Sequence, residues 1–412
     1  MDIIVERACG LDVHQRTIAA CVQTENSEKT REVRTFGTTT TELESLKSWL
    51  VTKQVTHVAM ESTGIYWKPV YNILEDSFHI LLANARHIKH VPGRKTDIKD
   101  CEWICKLLRA GLLQGSFIPP RPIRELRDLI RYRTKLVQSI AQEKNRILKV
   151  LEDGNVKLSS VLSDIFGSCG TFAIRAVLDN RCSPEEMAPI LKKKGKNIKA
   201  TESEIREALR NTITDHHRFM IQLHLDHIEA LEEQLQQLMK RIQKQLEPYQ
   251  DIQKLLTTIP GVGEEGAAAI IAEIGSDMDQ FPDEHHLSSW AGMSPGNNES
   301  AGKSRSGKTT KGSQQLRCTL VECAWAASHT KDTYLASKFR SLLGRRGNKR
   351  SLVAVGHKIL ISAYYIIKYK APYHELGQDW LDKTRKKSLI GVYLKKLTDL
   401  GCIVQPIQPS LP

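Results

Sequence analysis

Several things that small stapled or membrane-bound folds need are missing from this sequence. Its nine cysteines include no C-x-x-C pair. Cys101 and Cys105, like Cys318 and Cys323, stand at helical spacing in apolar-rich segments, the pattern of buried thiols rather than of zinc ligands or a disulfide framework. His224 and His227 have no third or fourth ligand nearby in sequence and read as helix surface or interface. Aromatic residues make up only 6% of the chain. No run is long and apolar enough to span a bilayer. The opening Met1-Asp2-Ile3-Ile4-Val5-Glu6-Arg7 lacks the order of a signal peptide. The expectation is a soluble cytoplasmic protein with no membrane partner.

What is present is length and positive charge. At 412 residues and 40% hydrophobic content the chain can build two or three cores. A net charge of +13 and a pI near 9.2 point to a polyanionic partner, most simply nucleic acid.

Residues 8–22 read as two strands joined by a tight turn, with Asp12 near the end of the first, and Thr30–Phe36 is a third strand candidate. Leu43, Leu46 and Leu50 predict a helix. Val55 to Gly64 reads as a buried strand ending in Glu61 and a glycine turn. A helix over Tyr66–Leu74 and a short strand over His79–Ala83 follow. A three-strand meander followed by alternating helix and strand is the order of a ribonuclease-H-like sheet.

The stretch from Gly93 to Asp100 then opens into the apolar-periodic run Cys101–Leu108. If that run is helical, Asp97 and Asp100 lie one turn apart on one face. Such a pair repels itself unless a hard cation bridges it, although acids also decorate helix N-termini without any ligand. Arg94 and Lys95 would suit an approaching phosphodiester. Asp12, Glu61, Asp97 and Asp100 stand where a ribonuclease-H-like fold gathers acids. Two Mg²⁺ held there would serve phosphoryl transfer.

Pro119, Pro120 and Pro122 close this first domain. A basic helical pattern over Arg124–Leu151 follows, then a less periodic stretch over 153–210. Next comes a helix with Ile221, Leu225, Ile228, Leu231, Leu235, Leu238, Ile242 and Leu246 at coiled-coil spacing. Such a stripe packs within a chain or against a second copy, and it reads here as the arm that joins subunits. In Ile259-Pro260-Gly261-Val262-Gly263, the two glycines suggest a helix-hairpin-helix turn whose backbone N–H groups meet DNA phosphate. An ordinary helical hairpin has the same spacing. Residues 291–312, rich in Gly, Ser, Asn and Lys, read as a loop. From Lys303 to Arg317 there are five basic residues and no acidic one. Ser300 in that loop is either a phosphate contact or a nucleophile, with Ser294, Ser304 and Ser306 as competitors. Lys338, Arg340, Arg345, Arg346, Lys349 and Arg350 cluster between two further helical patterns.

Taken together, Gly10-Leu11-Asp12-Val13-His14, Met60-Glu61-Ser62-Thr63-Gly64, Lys95-Thr96-Asp97-Ile98-Lys99-Asp100, the Ile259–Gly263 segment and Glu299-Ser300-Ala301-Gly302-Lys303 resemble the successive motifs of the IS110/IS1111 transposases. The resemblance spans roughly residues 8–370. It implies an α/β RuvC-like domain (1–118), a helical coiled-coil region (119–250), a mainly α C-terminal transposase domain with a helix-hairpin-helix (251–370) and an extension (371–412). It also implies that Asp12, Glu61, Asp97 and Asp100 bind Mg²⁺ and that Ser300 forms a covalent phosphoserine with DNA. The acidic site and the serine would come together in a homo-oligomer, a dimer or tetramer, in which a structured bridge RNA pairs with donor and target DNA. Many relatives have Gly where Ala301 stands. Arg94, Lys95, Gly261, Gly263, Lys303, Arg305, Lys308 and Lys311 are the expected nucleic-acid contacts. The covalent ester conserves the phosphodiester's energy, so no nucleotide-binding loop is expected. The rival readings are a RuvC-like nuclease and a non-catalytic nucleic-acid scaffold.

Overall fold

Alternation along the first strands sorts their side chains onto two faces. The computed structural model describes residues 4–24, 31–62, 64–84, 88, 99–113, 115–179, 183–195, 198–295, 298–300, 303–306, 309 and 311–400. The chain divides into two compact units, Met1–Pro119 and Pro120–Pro412.

In the first unit β1 (Ala8–Val13), β2 (Thr17–Gln23) and β3 (Glu32–Gly37) form an antiparallel meander. Helix α1 (Thr40–Thr52) leads to β4 (His57–Glu61), and α2 (Trp67–Leu74) leads to β5 (His79–Ala83). The sheet order is β3-β2-β1-β4-β5, with β4 parallel to both β1 and β5. This is the ribonuclease-H-like arrangement expected from the sequence. Because successive strand residues point to opposite faces, Cys9, Leu11, Ile18, Ala20, Val58 and Met60 pack with Leu43, Leu46, Leu50, Val70 and Leu74 on one side. Ala8, Cys21, Ala59 and Ala83 face the other side, which is covered by α3 (Asp100–Arg109) through Cys101, Ile104, Cys105 and Leu108. Each large aliphatic side chain buried there, such as Leu107, contributes roughly 1.5–3 kcal/mol.

Gly10 controls how closely α3 can lie. A Cβ at this position would stand 2.3 Å from the Cys101 carbonyl oxygen and 2.4 Å from the Cys105 nitrogen. Only glycine lets the helix backbone rest on the strand. The Cys105 thiol reaches the Ala8 carbonyl at 3.5 Å across the same contact.

The second unit begins with α4 (Arg121–Asp153), with Pro122 in its first turn, where a missing N–H leaves nothing unsatisfied. Four short helices follow: α5 (Leu158–Val161), α6 (Ser168–Asp179), α7 (Pro184–Lys194) and α8 (Glu202–Leu209). The long α9 (Asp215–Leu246) then runs antiparallel to α4, since Glu125 meets Gln245, Arg133 meets Met239 and Glu143 meets His224. Ile221, Ile228 and Leu231 of the α9 stripe are buried against Leu136, Ile140 and Ile147 of α4 and the short helices, with Leu225, Leu235 and Leu238 beside them. The stripe is therefore covered within the chain. The same packing brings Glu143 to His224 Nδ1 at 2.7 Å and His227 Nδ1 at 3.2 Å, so the two histidines share one buried carboxylate. The weakly periodic 153–210 stretch supplies core through Val156, Leu158, Ala173, Leu191 and Ile205.

The remainder holds α10 (Gln250–Leu256), α11 (Glu264–Ile274), α12 (Glu284–Trp290), β6 (Asn298–Ser300), β7 (Lys303–Ser306), α13 (Gln314–His329), α14 (Tyr334–Tyr369) and α15 (Trp380–Asp399). By length and composition α14 could cross a membrane, contrary to the sequence expectation. However, 56% of its apolar window is buried inside the protein. Gly347 also breaks its helical geometry. Leu352, Val355, Ile359, Leu360 and Ile367 are core residues.

Candidate active site

The last paired positions of β1 and β4 are Leu11 and Met60. Asp12 and Glu61 follow at the carboxyl ends of two adjacent parallel strands, where open α/β sheets place their ligands. By alternation both continue the rows Ala8–Gly10 and His57–Ala59, on the face that α3 covers. Asp100 is the first residue of that helix, after an extended Lys99. The contact at Gly10 thus aims the start of α3 at the end of β1.

Electrostatics reports the proximity. Burial pushes the Asp12 carboxyl above its usual range; His14 opposes this, while Asp100 and Glu61 push it further up. His14 Nε2 lies 3.2 Å from Asp12 Oδ2, with the Asp12 side chain 25% exposed and His14 66% exposed. The structure therefore brings Glu61 and Asp100 within electrostatic reach of Asp12 and adds His14. The histidine stood in the quoted motif, but nothing in the sequence marked it as a partner. Asp97, Arg94 and Lys95 lie outside the described residues.

Among the described residues no group of three or more His, Cys, Asp or Glu side chains is arranged to hold a metal ion by itself. The donor set is nevertheless all hard oxygen, which suits Mg²⁺ or Mn²⁺. A carboxyl raised by burial and then by two further acids is a place where a divalent cation lowers the energy. The thiols nearby do not compete. Burial raises Cys9 well above its usual value and pushes Cys101 up to about 11, which keeps both protonated. Cys105 and Cys323 are buried as expected, but Cys318 is exposed, because it faces away from the α13 core row of Leu316, Leu320 and Cys323.

Residues 291–312 are not a plain loop. β6 and β7 pair antiparallel, Ser300 opposite Lys303, with a bulge at Asn298/Glu299, and Pro295 bridges Thr309. Only residues 301 and 302 separate the strands, so Ser300 flanks the tip of a hairpin that also carries Ser304, Arg305 and Ser306. Main-chain pairing sets the register of such a ribbon, and a composition without apolar alternation hides it in the sequence. Lys308 lies outside the described residues, and Lys311 is exposed.

Gly302 to Thr309 does have the G-x-x-x-x-G-K-T spacing of a phosphate-binding loop, against the expectation that the chain has none. In that motif the residues between the glycines wrap a phosphate as a loop. Here Lys303–Ser306 is a strand, so the backbone excludes that use.

The Ile259–Gly263 turn joins α10 to α11. Gly261 has a φ of +85°, and a Cβ there would meet the Ala327 nitrogen and Cys323 carbonyl of α13 at 2.4 Å. Its Cα thus packs closely against α13. Gly263 caps α11 and, like Gly261, lines a cleft of about 1380 Å³ shared with Arg131, Arg133, Gln315 and Thr319. Glu264 and Glu265 occupy the first turn of α11, the place that an incoming phosphate would take.

The ribbon's downstream end is fastened by residues that sequence reading did not single out. The buried Glu273 accepts two bonds from Arg131, at 2.7 and 2.9 Å, and one from the Ser313 hydroxyl at 2.9 Å. Ser313 in turn caps α13 at the Leu316 nitrogen. Arg127 donates to the Ala272 and Glu273 carbonyls at the end of α11.

A ribonuclease-H-like sheet with acids gathered at the ends of its central parallel strands defines a DEDD-type nucleic-acid-processing domain. Residues 9–155 match a transposase family of this kind, the IS110 DEDD transposases, and residues 253–340 match the transposase IS116/IS110/IS902 family. Together these cover more than half of the chain, which belongs to the IS110-type transposases. No curated protein matches it significantly. The chain is a transposase that acts on DNA, from a family that uses divalent metal.

Proposed function

We infer that this transposase cleaves and rejoins DNA through a covalent ester on Ser300, guided by a structured RNA. The observation that carries the reading is the gathering of Asp12, Glu61 and Asp100 on one sheet face, with the Asp12 carboxyl raised by burial and then by Asp100 and Glu61. Asp97 completes the set, and the four carboxylates hold Mg²⁺. When bound, the ions stabilise charge on the phosphate and the leaving oxygen. Ser300 Oγ loses its proton as the Oγ–P bond forms. The P–O bond to the departing strand breaks, and that strand's oxygen takes up a proton. Rejoining is the reverse, with the hydroxyl of the new strand attacking phosphorus and Ser300 leaving. Lys303, opposite Ser300 in the hairpin, and Arg305 neutralise the phosphate, and Arg94, Lys95, Lys308 and Lys311 hold flanking backbone. Glu264 and Glu265 oppose a phosphate contact at the Gly261 and Gly263 backbone.

A net charge of +13 suits a protein that holds nucleic-acid backbone and leaves sequence reading to base pairing. The acidic site and Ser300 act on one phosphodiester within an oligomer. The test is to isolate the protein with its co-purifying RNA and incubate it with junction DNA. A denaturation-stable protein–DNA adduct should form with the wild type, and with Ser294→Ala, Ser304→Ala and Ser306→Ala. It should vanish with Ser300→Ala. Cleavage that persists in Ser300→Ala without any adduct would instead identify a hydrolytic nuclease.

A further inference from the structure

The corner of α14 is a feature that the chemistry above does not use. Gly347, at φ 72° and ψ 169°, interrupts the helix between Tyr334–Arg346 and Asn348–Tyr369. Residues 343–350 are all exposed, and they include Arg345, Arg346, Lys349 and Arg350. A Cβ placed on Gly344 or Gly347 would meet nothing within 4 Å, so the space outside the corner is open. Between Asp332 and Glu375 the sequence has nine Lys and Arg residues and not one Asp or Glu.

Elsewhere in the same unit several surface arginines are matched with carboxylates. Arg121 pairs with Glu125, Arg175 with Glu229 and Arg210 with Glu207. Among the described residues Arg345, Arg346, Lys349 and Arg350 have no such pair. Four cations on one exposed corner repel one another and contribute nothing to folding. Their energy falls only when a polyanion arrives and releases its counterions. The only large apolar side chain among residues 343–350 is the 41% exposed Leu343. That speaks against a protein partner, which would want buried anchors.

We propose that the α14 corner is a nucleic-acid-binding site that grips the phosphodiester backbone of a polynucleotide without reading its bases. It is separate from the Ser300 hairpin and does not depend on the phosphoserine reading.

The experiment measures binding in the Ser300→Ala background, so that strand chemistry plays no part. Duplex DNA and duplex RNA of equal length and random sequence are titrated at several salt concentrations. One variant carries Arg345→Gln, Arg346→Gln, Lys349→Gln and Arg350→Gln. A charge-matched control carries Arg121→Gln, Lys157→Gln, Arg175→Gln and Arg210→Gln. The corner variant should lose about two to four units of the slope of log K against log salt, and at least about tenfold in affinity near 0.15 M salt. The control should change far less. Loss on DNA alone, on RNA alone or on both supports the site and says which backbone it takes. Equal loss in corner variant and control, or no loss in either, overturns it. If thermal unfolding shows the quadruple variant to be misfolded, the doubles Arg345→Gln/Arg346→Gln and Lys349→Gln/Arg350→Gln carry the same test, each with about half the slope change.

Discussion

Asp12, Glu61 and Asp100 sit on buried scaffolding, two core strands and a helix resting directly on β1 at Gly10. Arg345, Arg346, Lys349 and Arg350 sit on an exposed corner with no ion-pair partner among the described residues. The contrast follows from what each charge is for. Carboxylates that share a cation must be held to a fraction of an ångström, and the raised pKa of Asp12 is the energetic consequence first of burying it and then of placing Asp100 and Glu61 near it. Cations that follow a phosphate backbone need only density and reach, because the attraction is long-ranged and tolerant of position. Precision is built on packing in one region and dispensed with in the other.

The largest expected effect separates the two regions outright. Asp12→Ala should lower strand cleavage on the order of 10³-fold or more while leaving the dissociation constant for duplex DNA within about twofold. Cleavage that survives, or binding that collapses, would break the distinction. Next, Glu273→Ala leaves the Arg131 guanidinium without its carboxylate and Ser313 without its acceptor. Denaturant unfolding should show a loss of about 3–5 kcal/mol. Gly10→Ala should cost about 3 kcal/mol by forcing α3 off the sheet. It should also reduce cleavage, since Asp100 moves with the helix. A smaller effect tests the metal. Mg²⁺ should raise the melting temperature of the wild type, a chelator should reverse the gain, and Asp12→Asn should respond little.

The smallest effect concerns pH. Burial, and then the stacked His79 with its ring centroid 5.1 Å away, hold the His57 imidazole below its usual value. The unfolded chain therefore binds that proton more readily, and stability falls as pH drops through about 6.5. His79→Gln should flatten part of that fall in melting curves recorded between about pH 7.5 and 5.5, leaving the share due to burial. An unchanged slope would mean that the two rings do not influence each other.

Much of the first unit was legible because half-buried strands announce themselves by alternation. β5 falls on the expected His79–Ala83, and α3 on the apolar run after Lys99. The hairpin of β6 and β7 was not legible, since main-chain pairing leaves no apolar signature. Glu273 and Arg131 are 142 residues apart, and nothing local announces that they meet. The core helices between Leu158 and Leu209 each bury only a few residues, too few for a period to show. The kink of α14 hides behind a glycine that could equally have sat quietly in an unbroken helix.

By itself the sequence determined which charges exist, their imbalance, and which face of each strand they occupy, because side-chain direction follows from backbone period alone. Only the tertiary structure decided that Asp100 comes within electrostatic reach of Asp12, that His14 joins Asp12, that the α9 stripe is covered from within, and that four cations at Gly347 have no ion pair among the described residues. Desolvation and Coulomb energy depend on distance and surroundings, and the order of residues along a chain contains neither.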